Sequence, residues 1–184
     1  MKKAVFIDKD GTLIKNLPWN VNTQLIQFEE NAIASLQLLQ ESGYQLVLIS
    51  NQPGIALGYF TEEAVIQVFK YLEHALTGHG VQLNAYYYCP HDARGIQAPY
   101  IKTCYCRKPL PGLLLKAAME LDIDLERSWM IGDILHDTEA GNRAGCKTIL
   151  LNNGNETEWE LTPCRQPSYI CKNWKDAAGI INRQ

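Results

Sequence analysis

The chain has no long hydrophobic run. Nothing in it approaches the roughly 20 apolar residues that a membrane helix needs. Before the charged Asp8, the N-terminus offers only Ala4, Val5, Phe6 and Ile7, too few for the apolar core of a signal peptide. There is also no block of like charge. Basic side chains number 17 and acidic ones 20, for a net charge of -3. No broad basic surface is implied, which argues against nucleic acid as the main partner. Internal repeats and low-complexity tracts are absent as well. What remains is an ordinary globular composition, 46% hydrophobic and 20% charged, over 184 residues. That length fits one domain, residues 1–184, and suffices for a sizeable core. A cytoplasmic monomer is the expected state. Thiols stay reduced there, so the six cysteines read as metal ligands or core residues, not disulfides.

Several short apolar runs lack polar alternation, as buried parallel strands do. They cover residues 4–7, 46–49, 129–131 and 148–151, with 86–88 as a further strand and 169–171 as a short edge strand. Helical patterns lie between them. One covers residues 31–41, with Gly43 as a stop signal. Thr61 reads as the N-cap of the next, with Glu62 and Glu63 in its first turn. Val65, Val68, Phe69, Leu72 and Leu76 then form one apolar face, and Gly78 is expected to end it. Further helices are expected over 113–121 and 138–144. Alternating strand and helix predicts a doubly wound α/β domain with a Rossmann-like parallel sheet. Residues 16–28 read as a loop. The segment 90–109 is too long and irregular for an ordinary connection, so it needs its own source of order.

Three expected strands run directly into reactive side chains. The first ends in Asp8-Lys9-Asp10-Gly11-Thr12, the second in Ser50-Asn51-Gln52, the third in Gly132-Asp133 with Asp137 four residues on. Ligands of open α/β sheets bind outside the carboxyl ends of the strands, so these groups are expected to meet. Asp8, Asp10 and Asp133 would then repel one another unless a cation or a shared proton joined them. Oxygen ligands favour a hard ion such as Mg2+, which would also hold a phosphate oxygen. Gly11 permits close backbone approach, and Ser50 and Asn51 carry donors for phosphate. Any one of these residues alone reads as a turn or cap, as Asp137 does for the helix after it. The joint pattern is what points to a site.

Cys89-Pro90-His91 is followed by Cys104-Tyr105-Cys106. Three thiolates and an imidazole suit a closed tetrahedral Zn2+ site. With four protein ligands, no position is left for substrate, so the expected role is structural. The ion would pin the loop 89–109, which ends in Arg107-Lys108-Pro109. Cys146, Cys164 and Cys171 read as ordinary thiols.

These motifs resemble those of the haloacid dehalogenase superfamily. Asp8-Lys9-Asp10-Gly11-Thr12-Leu13 is similar to its first motif, Ser50 to its second, Lys108 to its third and 132–137 to its fourth. The resemblance implies a phosphatase in which Asp8 is the nucleophile and Asp10 the general acid/base. It implies that Asp8, the Asp10 carbonyl and Asp133 bind Mg2+ with Asp137 in support, and that Ser50 and Lys108 hold the phosphoryl group. The zinc loop and Asn51-Gln52-Pro53-Gly54-Ile55-Ala56 narrow the resemblance to the heptose bisphosphate phosphatase and histidinol-phosphatase group. That group is capless, and its resemblance implies a small phosphorylated metabolite of carbohydrate metabolism as substrate. Heptose 1,7-bisphosphate, losing its 7-phosphate, is the leading expectation, with histidinol phosphate or another sugar phosphate as alternative. Arg107 is expected to hold a substrate hydroxyl or second phosphate. The group usually carries a basic residue where this chain has Ile134, and often another where it has Leu57. Two other classes compete. A receiver-like phospho-acceptor module would also place acids at strand ends, but Asp10 favours turnover over storage. An inactive zinc-stabilised interaction protein would have no use for the full acidic set.

Overall fold

Burial of apolar runs builds one parallel sheet. In the computed structural model, which describes residues 1–184, the strands are β1 (Ala4–Ile7), β2 (Gln45–Asn51), β3 (Ala85–Cys89), β4 (Trp129–Gly132), β5 (Lys147–Leu151) and β6 (Tyr169–Cys171). All pair in parallel, in the order β3-β2-β1-β4-β5-β6. This is the doubly wound order expected of a Rossmann-like sheet. The tyrosine-rich β3 is half-buried because it forms one edge, and β6 forms the other.

Five helices cover the sheet: α1 (Ala32–Glu41), α2 (Glu62–Gly78), α3 (Gly112–Leu121), α4 (Leu135–Ala144) and α5 (Trp174–Ile181). Alternate strand residues point to opposite faces. Val5, Ile7, Leu46, Leu48 and Ile131 therefore enter one core with α1, α2 and α5, whereas Phe6, Val47, Ile49 and Met130 enter a second with α3 and α4. No helix is long and apolar enough to cross a membrane.

Thr61 caps α2 as expected, accepting from the Ala64 N–H at 3.2 Å, and Gly78 is the last residue of that helix. Gly80, at φ 75°, is the residue that turns the chain. Helix α4 starts at Leu135, not 138, so Asp137 lies inside its first turn and accepts from the Ile134 N–H at 3.3 Å. Helix α5 was not expected at all. Trp174, Ala177, Ala178 and Ile181 do repeat at helical spacing and are buried. Two of them are alanines, which leave little apolar signal. Trp174 ties this helix to the first motif, donating from Nε1 to the Thr12 carbonyl at 2.7 Å.

A charged clamp closes the other side of α4. Glu139 accepts from Arg143 Nε and Arg165 Nε, each at 2.8 Å. Burial works against the carboxylate, but the two guanidiniums hold its pKa below the ordinary glutamate range. A depressed pKa contributes stability above the unfolded value, and that stability is lost as pH falls through the folded one. Glu139→Gln is therefore expected to cost about 1–3 kcal/mol at pH 7. The gap to the parent protein should close as the pH drops well below about 4.5. Denaturant melts at neutral and acid pH test this; a pH-independent gap would assign the loss to packing.

Candidate active site

The order of the sheet reverses between β1 and β4, and both carboxyl ends open onto one crevice. Asp8 follows β1 and remains anchored to β4, its N–H donating to the Ile131 carbonyl at 3.0 Å. Asp133 follows β4. Its carboxylate accepts from Thr12 Oγ1 at 3.0 Å and Asn155 Nδ2 at 2.8 Å. Gly11 has φ 84°, and a Cβ there would lie 2.1 Å from Asp133 Oδ2. Only glycine lets the first loop pass this close to the carboxylate. Gly132 serves a similar purpose, since a Cβ there would stand 2.1 Å from the Asp137 side chain.

Lys108 enters from the loop after the cysteine cluster and lies buried among these acids. Its ammonium contacts Asp8 Oδ1, lies 2.6 Å from Asp137 Oδ1 and donates to the Ile49 carbonyl at 3.1 Å. Burial alone would lower the Lys108 pKa, but the Asp137 and Asp8 carboxylates more than offset it, so the ammonium is held charged. Burial raises the Asp8 pKa well above its ordinary value. Lys108 opposes that shift, while Asp137, Asp133 and Asp10 reinforce it. Burial and then Asp137 push Asp133 up to about 6, against the hydrogen bonds from Asn155 and Thr12.

Ligand oxygens of Asp8, Asp133 and Asp137 all lie within 4.8 Å of one another. One ammonium does not balance three buried carboxylates. Asp137 Oδ1 has that ion pair but no aligned hydrogen bond. An oxygen-lined, negative pocket of this kind fits a hard divalent cation. The Asp10 carboxylate is not part of the cluster. It turns to Lys9 Nζ at 2.6 Å and Gln52 Nε2 at 3.0 Å.

Ser50 is buried at the end of β2, and its Oγ accepts from Gln52 Nε2 at 2.9 Å. The hydroxyl proton is thus free for another acceptor. Asn51 was expected to face phosphate. Instead its amide brackets Lys108: Nδ2 donates to the Lys108 carbonyl and Oδ1 accepts the Lys108 N–H, both at 3.0 Å. Its side chain fixes the backbone that carries the lysine. A cleft of about 300 Å³ opens beside Asp10, lined by Trp19, Phe60, Pro18 and Asn20 among others.

The second cluster stands where expected. Cys89 ends β3, and its sulfur lies 3.4 Å from that of Cys104 and 3.2 Å from that of Cys106. The Cys104 and Cys106 sulfurs are 3.1 Å apart, and His91 Nδ1 is 3.3 Å from Cys106 Sγ. These are the edges of one small polyhedron, near the about 3.8 Å that Zn–S bonds of about 2.3 Å give at a tetrahedral angle. Arg107 braces the same loop. It donates to the His91 carbonyl at 3.2 Å and stands 3.4 Å from Asp92 Oδ2, with 34% of its side chain exposed.

Several partners had no sequence-level role. Lys9 and Gln52 were visible inside motifs but carried no assignment. Asn155 lies 22 residues from Asp133, and Asn153, which donates to the Gly11 carbonyl at 2.6 Å, lies farther still from its partner. No local pattern marks either asparagine.

Residues 105–177 match the HAD-hydrolase-like family. The chain is 44% identical over 182 residues to the D-glycero-beta-D-manno-heptose-1,7-bisphosphate 7-phosphatase of Pasteurella multocida, spanning 98% of this chain and 97% of that one. The chain belongs to this family of HAD-like phosphatases. The Escherichia coli K12 member is 34% identical, spanning 95% of this chain and 96% of its own. Among solved structures, the D,D-heptose 1,7-bisphosphate phosphatase of B. bronchiseptica, complexed with magnesium and phosphate, superposes with a TM-score of 0.79. It is 25% identical, over 100% of this chain and 99% of that one. A HAD-like phosphatase from Mesorhizobium loti gives a TM-score of 0.85 at 27% identity, over 99% and 85% of the two chains.

Proposed function

We propose that this phosphatase removes the 7-phosphate of D-glycero-D-manno-heptose 1,7-bisphosphate through an aspartyl phosphate on Asp8. The observation that carries the chemistry is the meeting of Asp8, Lys108, Asp133 and Asp137 beyond the carboxyl ends of β1, β2 and β4, with Ser50 buried at the end of β2. The substrate is supported by relatives of that name matched over nearly the whole chain.

Asp8 Oδ attacks phosphorus, while Lys108 and the Ser50 hydroxyl hold the equatorial oxygens. Asp10 gives its proton to the departing sugar oxygen. It then takes a proton from the water that cleaves the acyl phosphate. The cleft beside Asp10 receives the sugar, and Asn51 keeps Lys108 in register. Asp8, Asp133 and the Asp10 carbonyl would hold Mg2+, with Asp137 in support, and the ion would offset phosphate charge. Zn2+ fits Cys89, His91, Cys104 and Cys106 and would stiffen the loop that carries Lys108. The unit is read as one hydrolase domain, residues 1–184, acting as a monomer in the cytoplasm.

Arg107 offers its remaining donors to the second phosphate. Because Arg107 also braces the zinc loop, the cleaner probe of substrate charge is Ile134, half-buried at the start of α4. Ile134→Lys adds a cation near the phosphate path, and such a contact is worth about 1.5–3 kcal/mol. We expect kcat/KM on the heptose bisphosphate to rise about tenfold in this variant. The deciding assay compares kcat/KM on heptose 1,7-bisphosphate, histidinol phosphate and sugar monophosphates. A preference of more than about tenfold for either of the latter, roughly 1.4 kcal/mol in transition-state binding, would overturn the substrate while leaving the phosphatase.

A further inference from the structure

The two carboxylate oxygens of Asp10 are gripped from different sides. Lys9 Nζ lies 2.6 Å from Oδ1, and Gln52 Nε2 lies 3.0 Å from Oδ2. Lys9 is an unusual residue to bury. Its side chain is 3% exposed, and its ion-pair partner is Asp10. A buried ammonium is costly unless paired, so the position of Lys9 is intelligible only through that carboxylate. Gln52 is buried too, and its second amide hydrogen goes to Ser50 Oγ at 2.9 Å. An ionised carboxylate only accepts, so the amide nitrogen must face it, and the orientation of Gln52 is thereby fixed.

The Asp10 side chain is 36% exposed, and Lys9 and Gln52 supply the hydrogen bonds to its carboxylate. Proton transfer requires a donor held within hydrogen-bond reach of the reacting oxygen. We propose that Lys9 and Gln52 are positioning residues that lock the plane of the Asp10 carboxyl group for both proton transfers. The inference rests on the aspartyl-phosphate reading above. In the first step the Asp8 O–P bond forms and the sugar O–P bond breaks, with the Asp10 proton passing to the sugar oxygen. In the second, the water O–P bond forms and the Asp8 O–P bond breaks, with a water proton passing to Asp10. Each carboxylate oxygen has two lone-pair directions. The grip occupies one on each oxygen and leaves the other for this traffic.

Leaving-group dependence tests the proposal, because a nitrophenolate departs without a proton and a sugar alkoxide does not. Lys9→Met, Gln52→Leu and Lys9→Arg would be compared with the parent protein on a sugar phosphate and on p-nitrophenyl phosphate, with rapid-quench measurement of phosphoenzyme. On the sugar phosphate, kcat should fall about 10- to 100-fold in the first two variants, with KM changed less than about threefold. On the aryl ester those variants should form phosphoenzyme at the parent rate and hydrolyse it slowly, so phosphoenzyme accumulates. Lys9→Arg should recover most of the loss. Gln52→Leu changes no charge and guards against misfolding caused by altering the buried lysine; melting curves check both. Equal slowing of phosphoenzyme formation on the two esters, a change in KM alone, or no change would overturn the assignment. If the parent protein itself forms no phosphoenzyme, the aspartyl-phosphate reading fails and this inference falls with it. If the parent forms it and the variants behave identically, only this inference fails.

Discussion

Asp8→Asn is expected to abolish turnover, with kcat lower by at least about 10⁴-fold and the fold intact. Removing a nucleophile typically costs as much as removing the whole catalytic unit, because the remaining groups have nothing to act through. An amide cannot form the acyl phosphate, and no neighbouring carboxylate is placed to replace it. Asp133 is held by Thr12 and Asn155, and Asp137 lies against Lys108. The variant should fold because neutralisation relieves a strain. Burial pushes the Asp8 pKa up against the pull of Lys108, and the charges of Asp137, Asp133 and the more distant Asp10 reinforce it. Lys108 retains Asp137 at 2.6 Å and the Ile49 carbonyl at 3.1 Å, so no cation is orphaned. Circular dichroism and a melting curve establish the fold, and a phosphate-release assay measures turnover. A folded variant with more than a few per cent of parent activity would remove Asp8 from the nucleophile's role. Asp10→Asn should lose less, about 10²- to 10⁴-fold, because it forfeits proton transfer but keeps the attacking group.

The sheet and the strand-end acids were legible because both follow from local patterns. An uninterrupted apolar run reads as a strand buried on both faces, and a charged residue directly after it must lie at the strand's end. Such reasoning places Asp8, Ser50 and Asp133 at the ends of strands, as the sheet does. It did not show which way a side chain turns. Asn51 carries donors suited to phosphate, yet its geometry engages the Lys108 backbone. That pairing spans 57 residues and is created only when the loop folds over β2. Lys9 poses the same problem in reverse. A lysine between two aspartates carries no sequence signal of burial, yet its side chain is buried against Asp10. Helix α5 escaped because alanine at two buried positions weakens the apolar period. The contribution of Asn155 depends on the segment after β5 returning over the crevice, which no spacing in the sequence encodes.

Cys104→Ser is expected to remove Zn2+, lower stability and slow catalysis without touching a reacting group. The prediction follows from the place of the cluster within residues 90–109. This stretch contains no helix or strand. Its fixed points include the four-residue cluster, the Arg107 and Arg94 contacts to Asp92, the Tyr100 hydroxyl, which donates to Glu62 at 2.5 Å, the Ile96 and Gln97 N–H groups, which donate to the Ala56 carbonyl, and the Asn51 amide at Lys108. A serine hydroxyl is a poor substitute for a thiolate, and ligand loss opens a closed site to water and exchange. The six-stranded sheet remains, so the loss should be local, about 2–4 kcal/mol. For a chain of this size that lowers Tm by about 4–16 °C. Lys108 sits at the far end of the same loop, two residues after Cys106, and must reach Asp8 from there. Loosening the loop moves the ammonium that neutralises the phosphoryl oxygens, so kcat should fall about 10- to 100-fold. The two metals should separate in the parent protein. Mild chelation should remove Mg2+ and stop turnover reversibly, while zinc remains at about one per chain, because three thiolates and an imidazole leave no open position for a competing chelator. Metal analysis of protein prepared without chelator decides the matter. Zinc-free protein with full activity and an unchanged Tm would show that the cluster is a group of packed thiols and that the loop is ordered by its hydrogen bonds alone.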